Sequence, residues 1–367
     1  MQLIYQNKQS EEQILEKSLH YKLDNNFNVE KSKLLFGDNF IGLSYLLNNG
    51  YKNKIDLIYI DPPFSTNIDF SSGKNRVSTI SSSKKDLLAY TDRLVGEEYL
   101  EFLRERLILM KELLSEKGSI YLHIDTKIGH YVKIIMDEVF GKNNFLNEIT
   151  RIKSNPKNFN RKAYGNQKDV IYFYAKNRGE NIWNNITSPL TEEEIKEKFI
   201  KKDERGFYNT VPIHAPGESE GPTGKEWKGL FPPVGRHWRV SPDKLTTLDD
   251  ENLIEWSKTG NPRLKKYSHE HKGKKIQDVW LNFKDPMYPN YPTQKNLDML
   301  DMIVKQSSDT NSIVLDAFAG SGGTLNMANK NGRIFIGIDQ SEISLSVIKE
   351  NLTKASYDEI NLSHLSN

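Results

Sequence analysis

A chain of 367 residues, 37% hydrophobic and 27% charged, is long enough for one large α/β domain plus an insertion and has the composition of a soluble globular protein. It contains no cysteine, which excludes a thiolate nucleophile, Cys-ligated zinc and a disulfide framework. The formal net charge is only +2, and neither an 18-residue apolar run nor a charged-then-apolar leader over residues 1–28 is present, so a cytoplasmic chain with no membrane span is expected.

Residues 1–32 are polar, with a helical stretch over Glu11 to Leu19 and nothing that carries chemistry. Lys33 to Phe36 reads as a short strand ending in Gly37-Asp38-Asn39, ahead of a helical pattern at Phe40, Leu43, Leu46 and Leu47; Asp38 is placed to cap that helix. Ile55 to Ile60 then reads as a buried parallel strand, cut off by Asp61-Pro62-Pro63-Phe64. That puts a carboxylate, two rigid rings and an aromatic at a strand's C-terminal end, where open α/β sheets hold their ligands. The Asp61 carboxylate and the Pro62 carbonyl are acceptors suited to an exocyclic amino group, and Phe64 offers a face for a planar ring. The rival reading of this tetrapeptide is a β-turn.

The Ser-rich stretch from Ser65 to Ser83 reads as a mobile loop beside the site, a lid or clamp. Leu100, Leu103, Leu107, Met110 and Leu114 predict an amphipathic helix from Glu97 to Lys117, ended by Gly118. Ser119 to Asp125 is the next strand and Ile128 to Phe140 the next helix, the alternation of a doubly wound, mostly parallel sheet. Asn147 to Lys153 and Asp169 to Lys176 read as its antiparallel edge.

Residues 177–289 turn to Pro, Gly, Trp and Lys with few apolar periods, the pattern of an irregular insertion between a first half, residues 1–176, and a second half, residues 290–367. Residues 151–290 hold 26 Lys and Arg against 19 Asp and Glu, while the rest hold 25 against 30, so the basic charge is central. With Trp227, Phe231, Trp238 and Trp256 interleaved among basic residues, this segment points to nucleic acid, solvated lysines being the rival reading. Lys225, Trp227, Arg236, His237, Trp238 and Arg239 are the candidate DNA contacts, with Arg263 an equal candidate for phosphate. The eight histidines have no metal spacing, and no metal is expected.

Ser312 to Asp316 is a strand, 317–323 a glycine-rich turn, and Thr324 to Asn329 the start of a helix; Arg333 to Ile338 is a further strand closing with Asp339. Glycines let a turn approach a ligand at a helix N-terminus, and an acid after the next strand suits a ribose diol. Together they predict an adenosine cofactor without naming which.

Two motifs carry a family resemblance over nearly the whole chain. Phe318-Ala319-Gly320-Ser321-Gly322 resembles the FxGxG motif, and Asp61-Pro62-Pro63-Phe64 the (D/N/S)PP(Y/F/W) motif, of S-adenosylmethionine-dependent DNA amino-methyltransferases. Gly37-Asp38-Asn39 and Tyr291-Pro292-Thr293-Gln294-Lys295 belong to the same resemblance, although Ala317 stands where a proline often follows the motif's aspartate. With DPPF first, a large insertion next and FxGxG last, the order resembles the permuted β class, which includes type III modification subunits.

The resemblance implies that Phe318, Ala319, Gly320, Ser321 and Gly322 cradle the methionine part of the cofactor, with Asp316 close by. Asp339, with Gln340 beside it, would take the ribose, and Asp38, with Asn39, the cofactor's adenine; Thr293 and Lys295 would lie near the cofactor carboxylate. Asp61, Pro62, Pro63 and Phe64 would grip the flipped target base, Asp61 also counting among the cofactor contacts, and the insertion would be the target-recognition domain. An aspartate at the first motif position usually accompanies adenine N6 and a serine cytosine N4, so N6-adenine methylation of double-stranded DNA is expected. Methylation at cytosine C5, which needs a covalent thiolate adduct, is excluded by the absence of cysteine. N4-cytosine methylation, an inactive DNA-binding specificity subunit and a non-DNA amino-methyltransferase are the alternatives. A homodimer and a restriction subunit are the protein partners that the resemblance suggests.

Overall fold

Ile58 to Ile60, Ile120 to Leu122 and Val314-Leu315 are apolar runs without alternation, which need cover on both faces of a sheet. The computed structural model describes residues 2–21, 28–63, 69–73, 76–78, 87–91, 96–155, 162–287 and 294–365, with backbone alone between 69 and 91. These runs are the centre of a nine-stranded sheet. Its strands are β1 (Ser32–Phe36), β2 (Ile55–Ile60), β3 (Leu114–Ile124), β4 (Phe145–Ile152), β5 (Lys168–Ala175), β6 (Val279–Trp280), β7 (Ile313–Asp316), β8 (Ile334–Asp339) and β9 (Tyr357–Asn361), in the order β6-β4-β5-β3-β2-β7-β8-β1-β9. Only β5 is antiparallel to its neighbours, so the mostly parallel sheet with antiparallel pairing is observed, although the parallel β6 lies outside β4 as the true edge.

The helices start where side chains satisfy the first amides. Ser10 and Gln13 form a capping box on α1 (Glu11–Ser18), Asp38 caps α2 (Asn39–Leu46), Asn296 caps α5 (Leu297–Ser307), and Ser341 caps α7 (Glu342–Asn351). α3 (Glu97–Leu113), α4 (Gly129–Met136) and α6 (Gly323–Lys330) complete the set around this sheet. α3 stops four residues before the expected end. Leu114 turns extended and pairs with Ile55, and a Cβ at Gly118 would stand 2.8 Å from the Ile55 carbonyl oxygen, so strand pairing overrides the helical period there.

Of the segment expected as a mobile loop, Ser65 to Ser83, residues 65–68, 74–75 and 79–83 lie outside the described residues, and residues 69–73 and 76–78 are strand rather than loop. Its described backbone belongs to a three-stranded antiparallel sheet formed by Asp69–Gly73, Arg76–Ser78 and Leu87–Thr91.

The chain divides into two compact units, residues 1–186 with 277–367, and Thr187–Ile276. The insertion is thus narrower than residues 177–289. Asn184 Nδ2 donates to the carbonyls of Lys305 and Ser308, Trp183 stacks on Phe173 of β5, and Val279–Trp280 joins the large sheet. Nor is the insertion irregular. Lys201–Asp203, Gly206–Pro212, Pro262–Tyr267 and Ile254–Trp256 form a four-stranded antiparallel sheet, over its own core of Ile213, Trp227, Trp238, Leu245 and Ile254. Among the described residues, no helix is long and apolar enough to cross a membrane.

Candidate active site

Five adjacent parallel strands lead into aspartates at one edge of the sheet: Asp125 after β3, Asp61 after β2, Asp316 at the end of β7, Asp339 at the end of β8, and Asp38 just beyond β1. Packing acids together raises the cost of ionising them. Burial, and after it the neighbouring charges of Asp61 and Asp339, push the Asp316 carboxyl up to about 7, against hydrogen bonds from Thr324 and from the Phe318 amide at 3.1 Å. Burial also raises Asp339, whose Oδ2 accepts from the Gly320 amide at 2.8 Å and Oδ1 from the Ser341 amide at 2.9 Å.

The turn between β7 and α6 is shaped by two left-handed glycines, Gly320 (φ 52°) and Gly322 (φ 74°). A Cβ on Gly322 would stand 2.9 Å from Ile348, so the turn is tied to α7 as well. The Ala319 amide donates to the Ile338 carbonyl at 3.1 Å, and Asn351 Nδ2 donates to the Ser321 carbonyl at 2.9 Å. Gln340 is exposed beside Asp339. This donor and acceptor set fits the cofactor that the resemblance implies, with glycines permitting close approach and carboxylates able to accept hydrogen bonds from hydroxyl and ammonium groups.

Asp38 is committed on both oxygens. Oδ1 accepts from the Phe40 and Ile41 amides at 2.8 and 3.2 Å, and Oδ2 from Arg106 at 3.0 Å. Arg106 also donates to Asn39 Oδ1, whose Nδ2 donates to the Ala317 carbonyl. The Arg106 guanidinium lies 3.6 Å from the centroid of the Phe102 ring, which meets Phe318 edge-on at 6.2 Å. One buried arginine thus couples the GDN segment to the FxGxG turn.

Asp61 faces a second network. Its Oδ2 accepts from Lys295 at 2.6 Å, whereas Oδ1 is buried and accepts no hydrogen bond among the described residues. His123 Nδ1 is 3.9 Å from that Oδ1. The fully buried His123 donates from Nε2 to Asp169 at 3.0 Å, so its Nδ1 accepts from the Tyr59 hydroxyl at 2.9 Å, a tautomer assigned from the partners. Arg151 bridges Asp169 at 3.4 Å to Asp285 and donates to the Phe283 carbonyl at 2.9 Å. Burial works against ionisation of Asp169, yet His123 and Arg151 hold it well below the usual carboxylate range.

Phe64 and Thr293 lie outside the described residues; Pro62 is buried and Pro63 half-buried behind Asp61. In the insertion, Lys225, Arg236 and Arg239 are exposed, but Trp227 and Trp238 are not surface contacts. They are 3% and 2% exposed, with their indole N–H groups donating to Thr246 Oγ1 and the Lys225 carbonyl. A large ring with a satisfied N–H contributes more as core than as a surface platform. His237 donates to the Gly217 carbonyl. Burial lowers the basicity of His214, and Arg236, Arg239 and Arg263 lower it further, which marks these three arginines as one positive cluster.

Sequence reasoning missed Arg106, His123, Arg151 and Asp169. A signal existed for two of them: Arg106 adjoins the apolar stripe of α3, and His123 interrupts the apolar run of β3. Polar groups at such positions need a buried partner.

Comparison with known proteins places the chain in a family. The model of the N6/N4 DNA methylase family matches residues 55–350. The type II methyltransferase M.EcaI of Enterobacter cloacae is 40% identical over 92% of this chain and 75% of its own length. The type III restriction-modification enzyme StyLTI Mod subunit of Salmonella typhimurium is 28% identical over 89% of this chain, which spans only 54% of that subunit. The type II methyltransferase M.KpnI of Klebsiella pneumoniae is 25% identical over 81% of this chain and 76% of its own length. With one family model matching most of its length and a relative of 40% identity spanned over three quarters, the chain belongs to the N6/N4 DNA methylase family.

Proposed function

We propose that this DNA methylase transfers a methyl group from S-adenosyl-L-methionine to N6 of adenine in duplex DNA, as the modification enzyme of a restriction-modification system. The observation that carries the reading is Asp61 Oδ1, a buried acceptor that lacks a donor among the described residues, at the C-terminal end of β2. A buried acceptor without a donor costs about 1–3 kcal/mol, which an amino hydrogen of the target base would recover.

The bound cofactor supplies an electrophilic sulfonium methyl group. Gly320 and Gly322 would cradle it with Asp316, Asp339 would take its ribose hydroxyls, and Asp38 and Asn39, through the oxygen lone pairs not used by the α2 cap and Arg106, would lie toward its adenine. Asp61 Oδ1 and the Pro62 carbonyl accept both hydrogens of the target amino group, which localises a lone pair otherwise delocalised into the ring. As the amino nitrogen bonds to the methyl carbon, the carbon–sulfur bond would break with its electron pair leaving on sulfur as S-adenosylhomocysteine, and the nitrogen would shed one hydrogen as a proton, for which Asp61 would be the acceptor. No protein nucleophile is required, because alignment and electrostatics do the work. Extruding the base costs roughly a few kcal/mol, part of which Phe64 would return by stacking. Residues 187–276 serve as the target-recognition domain, with Arg236, Arg239 and Arg263 on the phosphates.

The test is to incubate the protein with methyl-labelled cofactor and mixed-sequence duplex DNA, digest to nucleosides and identify the labelled one. N6-methyldeoxyadenosine is expected; N4-methyldeoxycytidine would keep the site and overturn the base assignment. Asp61→Ala is expected to abolish transfer while cofactor affinity stays within about threefold; loss of both would sink the role given to Asp61.

A further inference from the structure

We propose that Lys295 acts on the catalytic carboxylate, as the positioning residue that fixes which oxygen of Asp61 faces the target amine. The inference rests on the amino-methyltransferase reading above and differs from the role that the resemblance gives this lysine, at the cofactor carboxylate.

Lys295 and Asp61 are far apart in sequence, yet Nζ meets Oδ2 at 2.6 Å, with the two side chains only 10% and 16% exposed. The lysine's backbone is anchored. Asn296, the next residue, caps α5 by accepting from the Met299 amide at 3.0 Å and donates to the Lys284 carbonyl at 2.9 Å. A side chain that leaves a fixed helix start holds a short charge-assisted contact in one geometry.

The other side of Asp61 is built to complement this. Oδ1 faces His123 at 3.9 Å, beyond hydrogen-bond reach. That ring is locked at both nitrogens, Nε2 by Asp169 and Nδ1 by Tyr59. Arg151 in turn holds Asp169 and is itself fixed by Asp285 and the Phe283 carbonyl. The lysine therefore takes Oδ2, the locked imidazole gives Oδ1 no hydrogen bond, and Oδ1 is the acceptor that remains. If Lys295 is lost, the carboxylate is free to rotate about its Cβ–Cγ bond, and misplacement of about 1 Å at a reacting group costs about 100-fold in rate.

Lys295→Met, Lys295→Arg and Tyr59→Phe separate the two roles of the lysine. Cofactor affinity is measured by calorimetry on the full chain, kcat is measured at saturating cofactor and DNA, and thermal melting checks the fold. We expect Lys295→Met to lower kcat about 100-fold with cofactor affinity within about threefold, and Lys295→Arg to recover kcat to within about tenfold of the parent. Tyr59→Phe, which unlocks the His123 ring without removing a charge, is expected to lower kcat with unchanged cofactor affinity, and it stands in if Lys295→Met does not fold. A tenfold or greater loss of cofactor affinity in Lys295→Met with kcat unchanged overturns the inference, as does a Lys295→Arg variant no more active than Lys295→Met. A parent protein that labels no DNA nucleoside would instead sink the functional reading itself.

Discussion

Asp316 carries the clearest consequence of placing acids side by side. Its carboxyl ordinarily titrates near 3.8 and is raised to about 7 in the fold, first by burial and then by Asp61 and Asp339. Between those values the folded chain keeps a proton that the unfolded chain has released, so this residue makes stability fall as pH rises from about 4 to about 7. Asp316→Asn cannot ionise and keeps an oxygen for the Phe318 amide. We expect its urea midpoint to gain on that of the parent as pH is raised across this window; a constant difference between pH 4.5 and 7 would refute the assignment. This residue was legible in the sequence because a strand pattern ended on it, and the same holds for Asp61 and Asp339. Lys295 and Arg106 were assigned a different role or none, because their partners lie far along the chain and no period or spacing records a pair formed only by folding.

Among elements, the β7–α6 turn is where local geometry and packing coincide. Gly322 has φ 74° as the cap residue before α6, and the space for a Cβ is taken by Ile348 of α7. Gly322→Ala should therefore cost about 1–3 kcal/mol from backbone strain, with a further loss from the contact. Adding Ile348→Ala should remove the contact but not the strain, so the double variant should be more stable than the two single losses added together. Additive losses in chemical denaturation would show that the ring of contacts around the turn is looser than 2.9 Å implies. Strands and helices with an unbroken period, such as β2, β7 and α3, could be read directly. The end of α3 could not, because Leu114 continues the helical period and only pairing with Ile55 removes it. The insertion's sheet was illegible for a related reason: its strands are short and polar, and their register is set across the unit by Tyr208 opposite Tyr267 and Val211 opposite Leu264.

On the scale of the whole molecule, the unit boundaries change where the positive charge is found. Residues 187–276 contain 17 Lys and Arg against 15 Asp and Glu, whereas residues 151–186, in the sheet unit, contain 8 against 2. The basic middle of the sequence therefore lies largely in residues 151–186 of the sheet unit, although that unit as a whole holds 34 Lys and Arg against 34 Asp and Glu, and the insertion is nearly neutral apart from its arginine cluster. Charge sets non-specific, salt-dependent attraction to DNA, while groove contacts set sequence choice, and the local positive excess over residues 151–186 predicts that the two tasks fall to different units. Removing the insertion tests this division. Thr187 pairs with Lys275 and Ser188 with Lys274 in antiparallel register, so the two crossings of the boundary lie side by side and a short Gly-Ser linker can join residues 186 and 277. The sheet unit keeps its own core, and we expect the shortened chain to fold and bind the cofactor with affinity within about threefold of the parent. It should also retain salt-dependent binding to random duplex while losing preference for any methylation site, as read by sequencing modified DNA. If random-duplex binding at low salt vanishes with the insertion, the electrostatic contact lies in residues 187–276 after all; if site preference survives the deletion, recognition lies in the sheet unit.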